Sequence, residues 1–211
     1  IGFGHLRRCI TLAKSLLSAG AVTRFIVNDD PTVHDVLTRN AVDGIAVGDD
    51  DWRDLRNTLE LVTEWRADAL VSDSYDAPPD RLADTDIRVV AVIDDLGNRP
   101  LPVTMVVNGG AHARELSYRV RPDTTMCLGL EYVLLRAEFS LEPQRETSPR
   151  IRRVLVTVGG ADPTLLASSF VAWARGALAG AALDVLVGPF WTQEARAAAV
   201  RAAKGSHDVV L

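Results

Sequence analysis

Cysteine is nearly absent. Cys9 and Cys127, each in an apolar setting, are the only two in 211 residues, which excludes a disulfide framework and points to a reducing cytoplasm. No apolar run reaches the roughly 18 residues of a membrane span, and the first residues are not a basic segment followed by an apolar one, so neither a span nor export is expected. A basic excess is missing too. With 23 Lys+Arg against 28 Asp+Glu the formal charge is −5, which argues against a nucleic-acid surface while leaving room for a small anion site. The histidines other than His5 (His34, His112 and His207) are scattered, and no His/Cys cluster has ligand spacing, so no metal or other cofactor is expected. A Gly-x-Ser-x-Gly nucleophile elbow is also lacking. What remains is 47% hydrophobic and 24% charged, the composition of a soluble globular protein with a sizeable core.

Strand and helix alternate along the chain. Leu6, Cys9, Ile10, Ala13, Leu16 and Leu17 form one helical stripe beginning near His5 and stopping at Gly20. A strand follows at 23–28, then a helix opened by Asp30-Pro31 and running to Arg39. The rhythm continues with a strand at 44–47, a helix from Trp52 to Trp65, and apolar strands at 69–72 and 89–93. Unbroken aliphatic strands separated by helices predict a doubly wound α/β domain with a parallel sheet. Residues 141–150 are polar, hold two prolines and lack periodicity, so they are read as a linker after an N-terminal domain of residues 1–140. From Ile151 the pattern restarts: a strand at 154–158, the turn Gly159-Gly160-Ala161, a helix start at Asp162-Pro163, a strand at 183–187 and a helix from Gln193 to Ala203. This second α/β domain, 151–211, is too short for a complete open sheet, and the opening Ile1-Gly2-Phe3 looks cut inside a loop, so a fragment is expected.

Chemistry concentrates at strand ends. Gly2-Phe3-Gly4-His5 stands before the first helix, where unpaired N–H groups favour an anion; Arg7 replaces the third glycine of a dinucleotide fingerprint. His5 has Arg7 and Arg8 close by, which disfavours its protonation and would leave a neutral imidazole suited to general-base work; it could equally cap the helix. Asp73-Ser74-Tyr75-Asp76 and Asp94-Asp95 follow buried strands, at the carboxyl ends where open α/β sheets bind ligands. Asp76 reads as loop solvation and the run Asp49-Asp50-Asp51 as a complement to a helix dipole. Gly159-Gly160 could set bare N–H groups against a diphosphate, but Asp162 would compete for them, so a ribose site or a simple turn stays open.

Taken together these residues resemble a known family. Gly2-Phe3-Gly4-His5-Leu6-Arg7-Arg8-Cys9-Ile10-Thr11-Leu12-Ala13, then Asp73-Ser74-Tyr75, Val92-Ile93-Asp94-Asp95-Leu96, Gly129-Leu130-Glu131-Tyr132-Val133-Leu134-Leu135-Arg136-Ala137-Glu138-Phe139 and Val158-Gly159-Gly160-Ala161-Asp162-Pro163 are similar, in order, to motifs of the UDP-sugar hydrolases of pseudaminic acid biosynthesis (the PseG family) and their spore-coat polysaccharide relatives. The resemblance implies a GT-B-like fold of two Rossmann-like halves, the second incomplete here, with the active site between them. It implies metal-free hydrolysis of UDP-2,4-diacetamido-2,4,6-trideoxy-β-L-altropyranose. On it His5 is the catalytic base and Tyr75 a second catalytic residue, while Gly2, Gly4, Arg8, Asp94, Gly159 and Gly160 bind substrate. Pro78-Pro79 stands where the family keeps a tryptophan, and the family's first strand and its nucleotide-holding Gly-Gly-Ser/Thr segment have no counterpart in the 211 residues. Two alternatives share these motifs: a GT-B glycosyltransferase using a UDP-sugar donor, and an inactive nucleotide-sugar-binding fragment.

Overall fold

The structure, a computed structural model, describes residues 3–48, 51–140, 149–178, 180–203 and 209–210. Gly2, Asp49, Asp50, His207 and the linker residues 141–148 lie outside the described residues. There are two compact units, one being Gly4–Leu141 and the other taking in Glu142–Leu211.

The first unit opens with helix α1 (Phe3–Ser18). Its inward stripe buries Ile10 and Ala13, and Gly20 stops it by adopting a φ of +87°, a conformation that costs glycine little. Strand β1 (Phe25–Asn28), helix α2 (Pro31–Arg39) and strand β2 (Gly44–Val47) form a crossover unit, with β1 and β2 parallel from Phe25 opposite Gly44 to Asn28 opposite Val47. Asp30 caps α2 by accepting from the amides of Thr32 and Val33 at 2.7 and 3.2 Å, and Pro31 takes the position where an amide would be unpaired anyway.

The helix expected from Trp52 to Trp65 is broken into α3 (Asp51–Asp54) and α4 (Arg56–Glu64). Leu55 between them has φ +58° and a fully buried side chain, so core packing overrides the continuous helix that propensity favours. Asp51 secures the break: its carboxylate accepts from the amides of Asn57 and Thr58 and from the Thr58 hydroxyl.

Next come β3 (Ala69–Ser72), α5 (Pro79–Ala83), β4 (Val89–Ile93), β5 (Pro100–Leu101), β6 (Met105–Asn108), β7 (Arg119–Val120) and β8 (Thr125–Leu128). A four-stranded sheet has the order β3-β4-β6-β8, all parallel, while β5 pairs with β7. Val90, Ala91, Val92 and Ile93 are all buried, as an interior parallel strand demands. With Leu55, Ala77, Leu82, Leu101, Val103 and Val106, two of them (Val90 and Val92) form the main core. β1 and β3 are edges of separate sheets, and α1 reaches both: Leu6 and Ile10 pack with Phe25 and Val27, while its first turn meets Asp73 just past β3.

The second unit holds β9 (Arg153–Thr157), α6 (Leu166–Ala177), β10 (Ala182–Leu186), α7 (Gln193–Ala202) and β11 (Val209–Val210), its parallel sheet ordered β11-β10-β9. Val156, Val171, Leu183, Val185 and Trp191 centre its core. Helix α6 begins at Leu166 and not at Asp162-Pro163, because Leu165 is left-handed at φ +54° and Asp162 folds ahead to take the amides of Leu166 and Ala167. Parallel sheets with interleaved helices make the chain mixed α/β, consistent with a Rossmann-like fold. Among the described residues, no helix is long and apolar enough to cross a membrane.

Leu101 is fully buried although its strand has only two residues. Leu101→Ala is expected to cost about 2–5 kcal/mol of stability, read as a fall in the urea midpoint; an unchanged midpoint would show that this core is not cooperative with the sheet.

Candidate functional site

One buried carboxylate gathers the site. Asp73 is the first residue beyond β3, with a side chain 3% exposed, and it faces the first two turns of α1. One oxygen lies 2.6 Å from His5 Nδ1 and also accepts from Arg8 Nη2 at 2.6 Å; the other accepts from Arg8 Nε and from the Cys9 thiol. His5 and Arg8 are three apart and Cys9 follows, the spacing that brings helical side chains to one face. Arg8 Nη1 then reaches both oxygens of Asp95, just past β4, at 2.8 and 3.1 Å. Tyr75 closes the ring. Its hydroxyl donates to Asp95 at 3.1 Å, and its ring meets the His5 imidazole edge-on with centroids 4.9 Å apart.

The contact with Asp73 bears on the tautomer. A carboxylate can only accept, so His5 Nδ1 carries the hydrogen, and Nε2, which has no hydrogen-bond partner among the described residues, is left as the basic nitrogen. The sequence puts arginines nearest His5, but the fold puts the Asp73 carboxylate closest, with Arg8 shared between two acids. Burial opposes the charge on Arg8, yet its bonds to Asp73 and Asp95 outweigh that and raise its pKa. Burial pushes the Cys9 thiol up to about 12, helped by Asp73, so it stays neutral. Burial, and then Asp95, also raise the Tyr75 phenol, keeping it a donor.

Other expected residues are placed differently. Gly4 and His5 lie inside the first turn of α1, not in a loop ahead of it, and open space surrounds Gly4 where a Cβ would stand. Arg8 is no free cation for a diphosphate, since both edges of its guanidinium are engaged by acids. Asp94, expected to bind substrate, is fully buried: one oxygen accepts from the amides of Leu96 and Gly97, and the other lies 3.7 Å from Arg99 Nε. In the second unit Gly159 has φ +96°, and the Gly159 and Gly160 carbonyls accept from Trp191 Nε1 and the Phe190 amide. The amides of Leu166 and Ala167 at the start of α6 are taken by Asp162. Among the described residues, no group of three or more His, Cys, Asp or Glu side chains could hold a metal ion. Sequence reasoning set Asp73 and Asp95 at strand ends where ligands bind without giving either a role of its own, and it missed Arg99. The signal for the two acids was position, Asp73 directly after β3 and Asp95 two residues past the end of β4.

A cavity of about 180 Å³ adjoins the cluster at the carboxyl ends of β4 and β6. Arg8, Ile93, Asp95, Val107, Tyr132 and Leu134 line it, with Gly109, Gly110 and Val133. Gly109 lets the 132–134 segment approach, because a Cβ there would stand 2.5 Å from the Val133 Cα.

The Cys9 thiol makes stability pH-dependent. The unfolded thiol ionises near 9 and the folded one near 12, so its contribution is intact below 9 and is lost as pH rises from 9 to 12. Wild type should therefore lose more of its urea midpoint between pH 8 and 10.5 than Cys9→Ala does; equal losses would contradict a neutral, Asp73-bonded thiol. No protein-family model matches the chain, and no curated protein matches it either.

Proposed function

We propose that the chain hydrolyses a UDP-linked deoxy-diacetamido sugar to free sugar and UDP, as a cytoplasmic GT-B-type enzyme of pseudaminic-type acid biosynthesis. The observation that carries the reaction type is the 2.6 Å contact between His5 Nδ1 and Asp73, which leaves Nε2 as the basic nitrogen of a cluster whose Arg8 and Asp95 line a cavity at strand ends. The substrate rests on the ordered motif resemblance around His5, Tyr75, Asp94-Asp95, Tyr132 and Gly159-Gly160.

His5 Nε2 takes a proton from water as the oxygen attacks the anomeric carbon. The bond from that carbon to the diphosphate oxygen breaks, and UDP leaves with the electron pair. Asp73 stabilises the imidazolium that results. Charge favours attack at carbon. Arg8 contributes one positive charge, Asp73 and Asp95 two negative ones, and this net −1 suits a cationic, oxocarbenium-like centre while repelling a diphosphate. The sugar is therefore assigned to the cavity beside Asp95 and Tyr132.

The test is incubation with the UDP-sugar in ¹⁸O-water without acceptor. Wild type should release UDP with the label on the sugar, and His5→Gln should lower kcat about 10²–10⁴-fold. Label on phosphate, or undiminished turnover in His5→Gln, would remove the mechanism; UDP release only with an added glycan would make the protein a transferase.

A further inference from the structure

We propose that Arg99 is a positioning residue: paired with the buried Asp94, it clamps the backbone of loop 74–77 and so sets Tyr75 against Asp95 and His5. The inference rests on the reading of this cluster as a hydrolytic site.

Arg99 follows the turn after β4 yet spends its side chain on the loop after β3. Nη1 donates to the carbonyls of Tyr75 at 2.7 Å and Ala77 at 3.1 Å, and Nη2 donates to that of Ser74 at 2.8 Å. Three carbonyls converging within four residues repel one another, and a planar cation at their focus removes the conflict. Lysine, a point donor, cannot span them. The guanidinium is itself held from behind. Asp94 Oδ2, fully buried and without a hydrogen bond among the described residues, lies 3.7 Å from Arg99 Nε, so each charge compensates the other. The acid is fixed in turn by the amides of Leu96 and Gly97, and its own carbonyl accepts from Tyr118, which also receives a bond from Asn108 at the end of β6.

The consequence falls on Tyr75. Tyr75 is 42% exposed, on a loop also clasped by the Ser74 hydroxyl, which accepts from the amides of Asp76 and Ala77. With its carbonyl pinned, Tyr75 presents its hydroxyl to Asp95 and its ring edge to His5. The charged and titratable groups facing it are His5, Arg8, Asp73 and Asp95. Their arrangement, and with it the placement of a substrate beside His5, depends on a loop that Arg99 holds.

Two measurements on Arg99→Lys test this. The Tyr75 titration is isolated as the difference between 295 nm curves with and without Tyr75→Phe. In wild type its midpoint should stand above the ordinary phenol value, and in Arg99→Lys it should fall towards about 10 as the ring leaves Asp95 for water. An unchanged midpoint would overturn the proposal. In a double-mutant cycle on UDP release, Arg99→Lys should lower kcat about 10–100-fold alone but less than about twofold in the Tyr75→Phe background. Equal losses in both backgrounds would overturn it as well. If Arg99→Lys fails to fold, Arg99→Gln with Asp94→Asn removes the buried pair together and goes through the same two readouts. Absence of UDP release by wild type would sink the hydrolase reading alone, leaving the titration to decide the role of Arg99.

Discussion

The Asp73 carboxylate is the interaction on which the site depends. It is nearly sealed from water and accepts from the imidazole of His5, two nitrogens of Arg8 and the thiol of Cys9. A buried charge persists only when its lone pairs are occupied, and removing a charged partner from such a group costs on the order of 3–5 kcal/mol. One acid therefore does two things at once. It ties the first turns of α1 to the end of β3, and it selects which imidazole nitrogen carries the proton. Stability and the imidazole tautomer are coupled through the same atoms.

From there the network extends in two directions. Arg8 carries it to Asp95 and so to the end of β4, while Tyr75 returns from Asp95 to His5. The adjacent acids after β4 divide the work by facing opposite ways: Asp95 is a third exposed and belongs to the cluster, whereas Asp94 is buried and builds the turn. Asp94 is held in the turn by the amides of Leu96 and Gly97, while Asp95 is held by Arg8 and Tyr75.

Much of the fold was legible in the sequence because single residues carried it. Asp30-Pro31 marks the start of α2, the unbroken run 89–93 marks an interior strand, and Gly20 marks the end of α1. Less legible was anything set by tertiary packing. Leu55 breaks a periodic helix because its side chain fills the core, and β6 and β8, four residues each, are not linked by α-helices that would announce them. In the site, His5 and Tyr75 could be singled out as candidates from position and motif. The roles of Asp73 and Arg99 could not, since both arise from pairs 68 and 24 residues apart that only the folded sheet brings together.

The central claim is that Asp73 holds His5 as the Nδ1–H tautomer. Its most direct test is ¹⁵N NMR of histidine-labelled protein, with His5→Gln assigning the signal. The account predicts a protonated, pyrrole-like Nδ1 and a pyridine-like Nε2 in wild type, with that preference lost in Asp73→Asn. A His5 protonated at Nε2, or a tautomer unaffected by Asp73→Asn, would contradict it.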